Sequence, residues 1–261
     1  EISLSDAQEI YPGWDIGDVV RLAAQDRDFS RIATQNAKNV LLQNLREKEK
    51  DNVYEEFQAK EKQVVTGVVQ RINDNNIVIN LGKADGILNE KEQVKSERIR
   101  INERIKVYVL EVKNQKKSLR ILVSRTHPEL VRKLFESEVA EVADGTVEIK
   151  AIAREAGSRT KMAVLSHDPD VDPVGACVGM NGMRVNTVVS ELKGEKIDII
   201  DWSDNPAQLI ENALSPAKVI TVLADDEEKT ATVIVPDSQL SLAIGKEGQN
   251  ARLAAKLTGF K

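Results

Sequence analysis

The stretch SLAIGKEGQNARLAAKL, residues 241–257, would be one amphipathic helix were it not for Gly245 and Gly248. An interior glycine costs a helix about 1 kcal/mol relative to alanine, so this pair points to chemistry performed by backbone. A nucleotide phosphate loop would need Gly-x-x-x-x-Gly-Lys-Ser/Thr. Here Gly245-Lys246-Glu247-Gly248 runs into Gln249 and Asn250, which excludes it. The same figure occurs 66 residues earlier as Gly179-Met180-Asn181-Gly182, within DPVGACVGMNGMRVNTVVSEL. On that shift Val174, Cys177 and Val178 fall on Leu240, Ala243 and Ile244, the i, i+3, i+4 face of a short helix entering each glycine pair. Val185, Val188 and Val189 fall on Ala251, Ala254 and Ala255 beyond it. A repeated unit carries more weight than a lone motif, and each copy reads helix, G-x-x-G, helix.

The repeat extends upstream. Each copy opens with a helix at an X-Pro pair, His127-Pro128 in HPELVRKLFESEV and Asn205-Pro206 in NPAQLIENAL. Proline suits the first helical turn, and Asn205 is a good N-cap. Two β-rich runs follow in each copy, TVEIKAIAR with TKMAVLSH, then AKVITVL with TATVIVP. Asp172-Pro173 and Pro236-Asp237 start the helices that lead into the glycines. The first copy closes with the strand KIDIID, whereas the second reaches Phe260-Lys261 before its equivalent. This order resembles the KH RNA-binding module in its type II arrangement. In such modules the GxxG loop lets a nucleic-acid backbone lie against the peptide, clamping about four nucleotides, and a helix N-terminus offers free N–H groups to phosphate. The candidate RNA-binding residues are Gly179, Met180, Asn181, Gly182 and Arg184 in the first copy. In the second they are Gly245, Lys246, Glu247, Gly248, Gln249, Asn250 and Arg252.

At 261 residues the chain is long enough for two or three cores. Nothing resembles a signal peptide or membrane span, and a single cysteine excludes an internal disulfide, so a cytoplasmic protein is expected. Cys177 as a nucleophile competes with Cys177 as a small core residue; its counterpart Ala243 favours the core. His127 and His167 stand apart from any Cys or His cluster. No catalytic residue, metal site or cofactor is expected.

The net charge of −5 conceals an uneven distribution. Lys plus Arg against Asp plus Glu number 8 and 13 over residues 1–61, 14 and 7 over 62–127, 9 and 15 over 128–204, and 6 and 7 over 205–261. Positive charge thus concentrates in 62–127, the electrostatic footprint sought in a nucleic-acid binder. That segment reads as about five short strands. Ile77, Ile79 and Leu81 alternate, as do Ile105, Val107 and Val109, with turns at Asn73 to Asn76 and Asn114 to Lys117. Such a segment suits a small Greek-key barrel of the OB type. It is similar to the RNA-binding barrel first named in a ribosomal small-subunit protein. Tyr108 is its only aromatic, so base stacking is largely unavailable. Lys62, Arg71, Lys83 and Arg125 would then act on RNA through charge. A solvated basic face is the competing reading.

Residues 1–61 begin without methionine, as a fragment of a longer chain would. IGDVVRLAA reads as a strand. DFSRIATQNAKNVLLQNLREKEKDNVYEEFQAKEK reads as a long partner-packing or spacer helix with Ala33, Ala37, Val40, Leu41 and Leu45 on one face, and Glu47 with Lys50 on another. The domains expected are therefore 1–61, a partial N-terminal domain and linker helix; 62–127, an OB-fold barrel; and KH modules at 128–204 and 205–261. The whole is a multidomain α+β chain. The short join DWSDNP, carrying Trp202, should pack the two KH modules rigidly together.

Together SRTHPEL, DPVGACVGMNGMRV, ELKGEKIDI, NPAQ and SLAIGKEGQNARLAAKLTG, in that order along the chain, resemble the NusA family of bacterial transcription elongation and termination factors. The resemblance implies a non-enzymatic RNA-binding factor that modulates pausing, termination and antitermination. Its implied partners are single-stranded nascent RNA, RNA polymerase and other elongation or antitermination factors. It also implies that most of a polymerase-binding N-terminal domain lies outside this chain, which would weaken or abolish that contact. An RNA-binding appendage of a processing enzyme and a protein-only scaffold remain as alternatives.

Overall fold

The computed structural model describes residues 3–19, 31–73, 75–115 and 119–261, which fall into two units, Glu1–Lys48 and Glu49–Lys261. In the first unit, helix α1 (Leu4–Ile10) is capped by the Ser3 hydroxyl, which accepts the Asp6 N–H. Helix α2 (Arg31–Gln58) begins in this unit and ends in the second. The chain turns over residues 16–19 instead of forming the expected strand, and the rest of IGDVVRLAA lies outside the described residues. Val40, Leu41 and Leu45 on α2 are 55–69% exposed. Glu47 does not serve Lys50: it accepts a hydrogen bond from Gln43.

The second unit starts with the last turns of α2, where Phe57 is buried in a barrel core with Val53 and Tyr54 packed beside it. The barrel strands are β1 (Val64–Ile72), β2 (Asn76–Asn80), β3 (Asp85–Asn89), β4 (Arg104–Asn114) and β5 (Leu119–Ser124). They close in the order β1-β2-β3-β5-β4, with β3 and β5 parallel and the other pairs antiparallel. Closure leaves no unpaired edge. Ile77, Ile79, Ile105, Val107 and Val109 point inward, following the period-2 alternation of their strands.

The first KH module comprises α3 (Pro128–Glu138), α4 (Ala140–Ala143), β6 (Val147–Glu155), β7 (Arg159–Ser166), α5 (Pro173–Val178), α6 (Met183–Glu191) and β8 (Lys196–Asp201). Its sheet runs β6-β7-β8, antiparallel then parallel. Leu130, Val131, Leu134 and Phe135 of α3 and Val188 of α6 pack on it. The second module repeats the pattern with α7 (Pro206–Ala213), β9 (Thr221–Asp225), β10 (Thr230–Ile234), α8 (Asp237–Ile244) and α9 (Gln249–Thr258). Lys261 lies along β10: its N–H donates to the Lys229 carbonyl and its carbonyl accepts from Ala231. The chain is thus a mixed α+β protein in which a five-stranded barrel precedes two KH modules.

The KH modules share one core. Ala153, Ala163 and Ile200 of the first interlock with Leu209, Ile210, Ala213, Leu214, Leu253, Ala254, Leu257 and Phe260 of the second. Trp202 in the join is half-buried against this cluster, and its backbone N–H donates to the Val164 carbonyl at 2.8 Å. Fully buried Lys161 spans the same interface, donating to the Asp198 carboxylate at 3.1 Å and the Ser215 carbonyl at 2.8 Å. Burial lowers the pKa of this ammonium, against the pull of Asp198. Among the described residues no helix is long and apolar enough to cross a membrane.

Candidate nucleic-acid interface

The two glycine loops are geometric copies. Gly179 and Gly245 have φ/ψ of 73/173° and 76/174°; Asn181 and Glu247, 53/26° and 54/26°; Gly182 and Gly248, 74/16° and 76/13°. Three of four residues are therefore left-handed in each loop, a conformation that costs an L-residue other than Gly, Asn or Asp about 1–2 kcal/mol. The first glycine is also demanded by space. A Cβ on Gly245 would come within 2.7 Å of the Asn250 Cβ and 2.8 Å of its backbone N, and one on Gly179 within 2.8 Å of Arg184. At Gly248 a Cβ would meet nothing closer than 3.8 Å. Gly245→Ala is accordingly expected to lose at least about 2 kcal/mol by denaturant unfolding, against about 1 kcal/mol for Gly248→Ala. Equal losses would show that backbone conformation alone selects these glycines.

Each loop leads directly into a helix, α6 or α9, whose first turn carries no side-chain cap. The uncapped N–H groups and the positive end of the helix dipole are suited to a phosphate. Around them the copies differ. In the first loop Met180 and Met183 are 78% and 67% exposed and Asn181 is exposed, so the loop is neutral and apolar. In the second, exposed Lys246 and Glu247 bring one charge of each sign.

Four residues expected to touch RNA make hydrogen bonds that hold the loops and modules together. Arg184 donates to the Ala176 carbonyl at 2.7 Å and to Glu141 at 2.9 Å. Asn250, its counterpart on the 66-residue shift, is buried and donates to the carbonyls of Leu242, Ala243 and Leu214. Leu242 is likewise the counterpart of Ala176, so both side chains latch the same carbonyl at the end of the helix before the loop. Terminal helix carbonyls lack intrahelical partners, which is the physical reason for a polar residue at this position. Gln249 reaches Glu155 and Ser158 of the first module at 2.8 and 2.7 Å, and Arg252 pairs with Glu155 at 2.6 Å. The Arg252 and Gln249 hydrogen bonds hold the Glu155 carboxyl below the usual range. The face expected for the pre-glycine helix of the second copy is also incomplete: Ala243 is buried, but Leu240 and Ile244 are 50% and 46% exposed.

On the barrel the four basic candidates divide. Lys62 and Arg71 are exposed and enter no ion pair among the described residues. Lys83 bonds Glu56 at 2.7 Å; Lys60 and Lys83 together hold the Glu56 pKa at about 2. Arg125 is fully buried and unable to meet RNA. Its guanidinium donates to Glu97 at 2.6 and 3.0 Å, to the Lys106 carbonyl at 2.7 Å, and to the Glu191 carboxylate and carbonyl at 3.3 and 2.9 Å. It is the centre of the joint between barrel and first KH module. Tyr108 serves that joint too, buried in the KH core and stacked on His127 with ring centroids 4.8 Å apart. Cys177 is buried, and burial pushes its thiol up to about 11, the setting of a core residue rather than a nucleophile.

Comparison with known proteins places every segment in one family. The NusA N-terminal domain matches residues 1–51, the S1 RNA binding domain residues 58–124, the NusA-like first KH domain residues 125–202, and the NusA-like second KH domain residues 206–261. The chain is 54% identical over its full length to the transcription termination/antitermination protein NusA of Bacillus subtilis (strain 168), covering 70% of that protein. It is 53% identical to the same protein of Halalkalibacterium halodurans and 46% identical to that of Thermus thermophilus, again over its full length, covering 68% and 67% of each.

Proposed function

Because the chain belongs to the NusA family of transcription termination/antitermination proteins, with RNA-binding S1 and KH domains, we propose that it holds single-stranded nascent RNA on its two glycine loops while acting on RNA polymerase pausing, termination and antitermination. The observation that carries this reading is the duplicated loop, alike in φ and ψ at its three positive-φ positions and ending in a helix N-terminus without a side-chain cap both times. RNA phosphate would sit on the backbone of Gly179 to Gly182 and Gly245 to Gly248, with Met180, Asn181, Lys246 and Glu247 at the contact. Lys62 and Arg71 would add diffuse attraction. The role is regulatory rather than catalytic, exercised in the cytoplasm alongside other elongation and antitermination factors.

The test keeps the glycines and alters what stands between them. Met180→Asp with Asn181→Asp, or Lys246→Asp with Glu247→Asp, places negative charge beside phosphate while Asp tolerates the left-handed position. At about 1 kcal/mol per charge pair in water, affinity for single-stranded RNA should fall about 10–30-fold with little change in melting temperature. Because the KH modules share a core, one strand would reach both loops, and the second contact would gain from high effective concentration. Disabling one loop should then weaken a long oligomer far more than one of about four nucleotides. Unchanged affinity in both double variants would defeat the clamp and favour a protein-only scaffold.

A further inference from the structure

Arg252, near the start of α9, curls back beside the second glycine loop. Its Nη1 donates to the Glu247 carbonyl at 3.1 Å and would stand 3.8 Å from a Cβ on Gly248. The other edge of the guanidinium is occupied. Nε donates to one oxygen of Glu155 at 2.6 Å and Nη2 to the other at 3.4 Å, the two-pronged arrangement in which arginine takes a carboxylate or a phosphate. Glu155 ends β6 of the first module, 97 residues away, so the acid that holds this arginine belongs to a different module from the loop. The first loop has no such pair: on the 66-residue shift Asn186 stands where the second copy has Arg252.

The carboxylate is the fixed member of this pair. The β6–β7 hairpin that presents it is pinned from several sides: the Gly157 N–H donates to buried Glu195 at 2.7 Å, the Gly157 carbonyl accepts from the Ser96 hydroxyl of the barrel at 3.1 Å, and the Ser158 carbonyl accepts from the Lys196 N–H at 3.1 Å. Gln249 adds a hydrogen bond to Glu155 itself at 2.8 Å. The Glu155 side chain is 23% exposed and that of Arg252 48% exposed. The long, half-exposed arginine is therefore free to swing toward an anion on the loop, and the carboxylate is unable to follow. Any such swing leaves Glu155 without its cation, and a partly buried carboxylate without its partner is costly.

We propose that Glu155 sets the RNA affinity of the second glycine loop by occupying the Arg252 fork that a phosphate would otherwise take, so that RNA gains the arginine only by displacing a carboxylate of the first module. This deepens the RNA-clamp reading above and rests on it. Carboxylate and phosphate offer the fork the same pair of acceptor oxygens, so the step is an exchange of one anion for another. A free anion gains little from that exchange. A strand already seated on the loop backbone presents its phosphate at high effective concentration and completes it. The second loop is thereby selective for a ligand that engages the backbone first.

The test uses the whole chain with its first loop disabled by Met180→Asp and Asn181→Asp, so that a short single-stranded RNA reports the second loop. Glu155→Gln keeps the shape of the side chain and removes its charge. Affinity should rise about fivefold, the worth of one charge pair in water. The slope of log affinity against log salt should steepen by about 0.7, because one more phosphate is neutralised without uncovering a carboxylate. In an Arg252→Ala background the same change should bring no gain. In the unaltered chain, the Arg252 Nε–H resonance should shift as RNA is added. Affinity left unchanged or lowered by Glu155→Gln would overturn the proposal, since that is what a purely structural contact between modules gives. So would a gain that survives Arg252→Ala, which would reduce Glu155 to a source of repulsion, or an Nε–H resonance that RNA leaves in place. Each of these outcomes leaves the clamp standing. If the aspartate variants of neither loop weaken RNA binding, the clamp itself fails and the role of Glu155 with it.

Discussion

Arg125→Ala should unfold the joint between the barrel and the first KH module at a cost of about 3–5 kcal/mol, because it leaves uncompensated charge buried. Glu97 loses two hydrogen bonds inside a seam where its side chain is 1% exposed, and Glu191 and the Lys106 carbonyl lose a shared donor. Arg125→Lys should recover little, since one ammonium cannot reproduce the fork that serves Glu97, Glu191 and a carbonyl together. Replacing the pair, Arg125→Met with Glu97→Leu, should restore part of the loss, because removing both charges avoids the unpaired state. Urea unfolding gives the stability, and NMR relaxation reports whether barrel and KH modules still tumble together. A change below about 1 kcal/mol for Arg125→Ala would mean that the seam is wet and the charge solvated.

A loss of similar size is expected for Glu195→Ala. This carboxylate is fully buried and accepts from Arg154 twice at 2.8 Å, from the Gly157 N–H at 2.7 Å and from the Thr160 hydroxyl at 2.6 Å. It ties the start of β8 to the β6–β7 hairpin, and its removal strands a guanidinium whose side chain is 1% exposed, for about 3–5 kcal/mol. Burial pushes the Glu195 carboxyl up, but the Arg154 contacts, Thr160 and the Gly157 N–H overcome it and hold the pKa below its ordinary 4.5. Asp198 behaves alike, with Arg159 and Lys161 outweighing its burial. A depressed carboxyl contributes stability that is fully present above its unfolded value and is lost as pH falls through the folded one. The wild type should therefore lose stability on acidification below 4.5 more steeply than Glu195→Gln, in which that titration is gone. Parallel pH profiles would refute the assignment.

The loops, the repeat and the barrel were legible because each is a local pattern. Glycine spacing, X-Pro helix starts and period-2 alternation are set by backbone geometry within a few residues. Arg125 carries a local signal of a different kind. Ile121 and Val123 are both fully buried, and Arg125 follows them on the same side of the alternating chain, so its register already pointed inward. Its charge alone suits a surface cation, whereas its register suits the buried residue of an ionic joint, which it is. Arg184 and Asn250 were harder. Their matched positions in the repeat mark a shared role, but different side chains fill it, and only the folded loop shows that both satisfy the same helix carbonyl.

What the amino-acid order determined, then, is the kind and number of modules and where backbone alone must approach a ligand. Those follow from short-range sterics and hydrophobic periodicity. Tertiary structure decided which polar groups remain free to bind. Glu155 takes Gln249 and Arg252, Glu56 takes Lys83, and Arg98 and Arg100 are left open. The acids that claim these cations lie 27 to 97 residues away along the chain. A charge is neutralised by whichever group folding brings within hydrogen-bond reach, and that proximity belongs to the packed modules rather than to any local stretch.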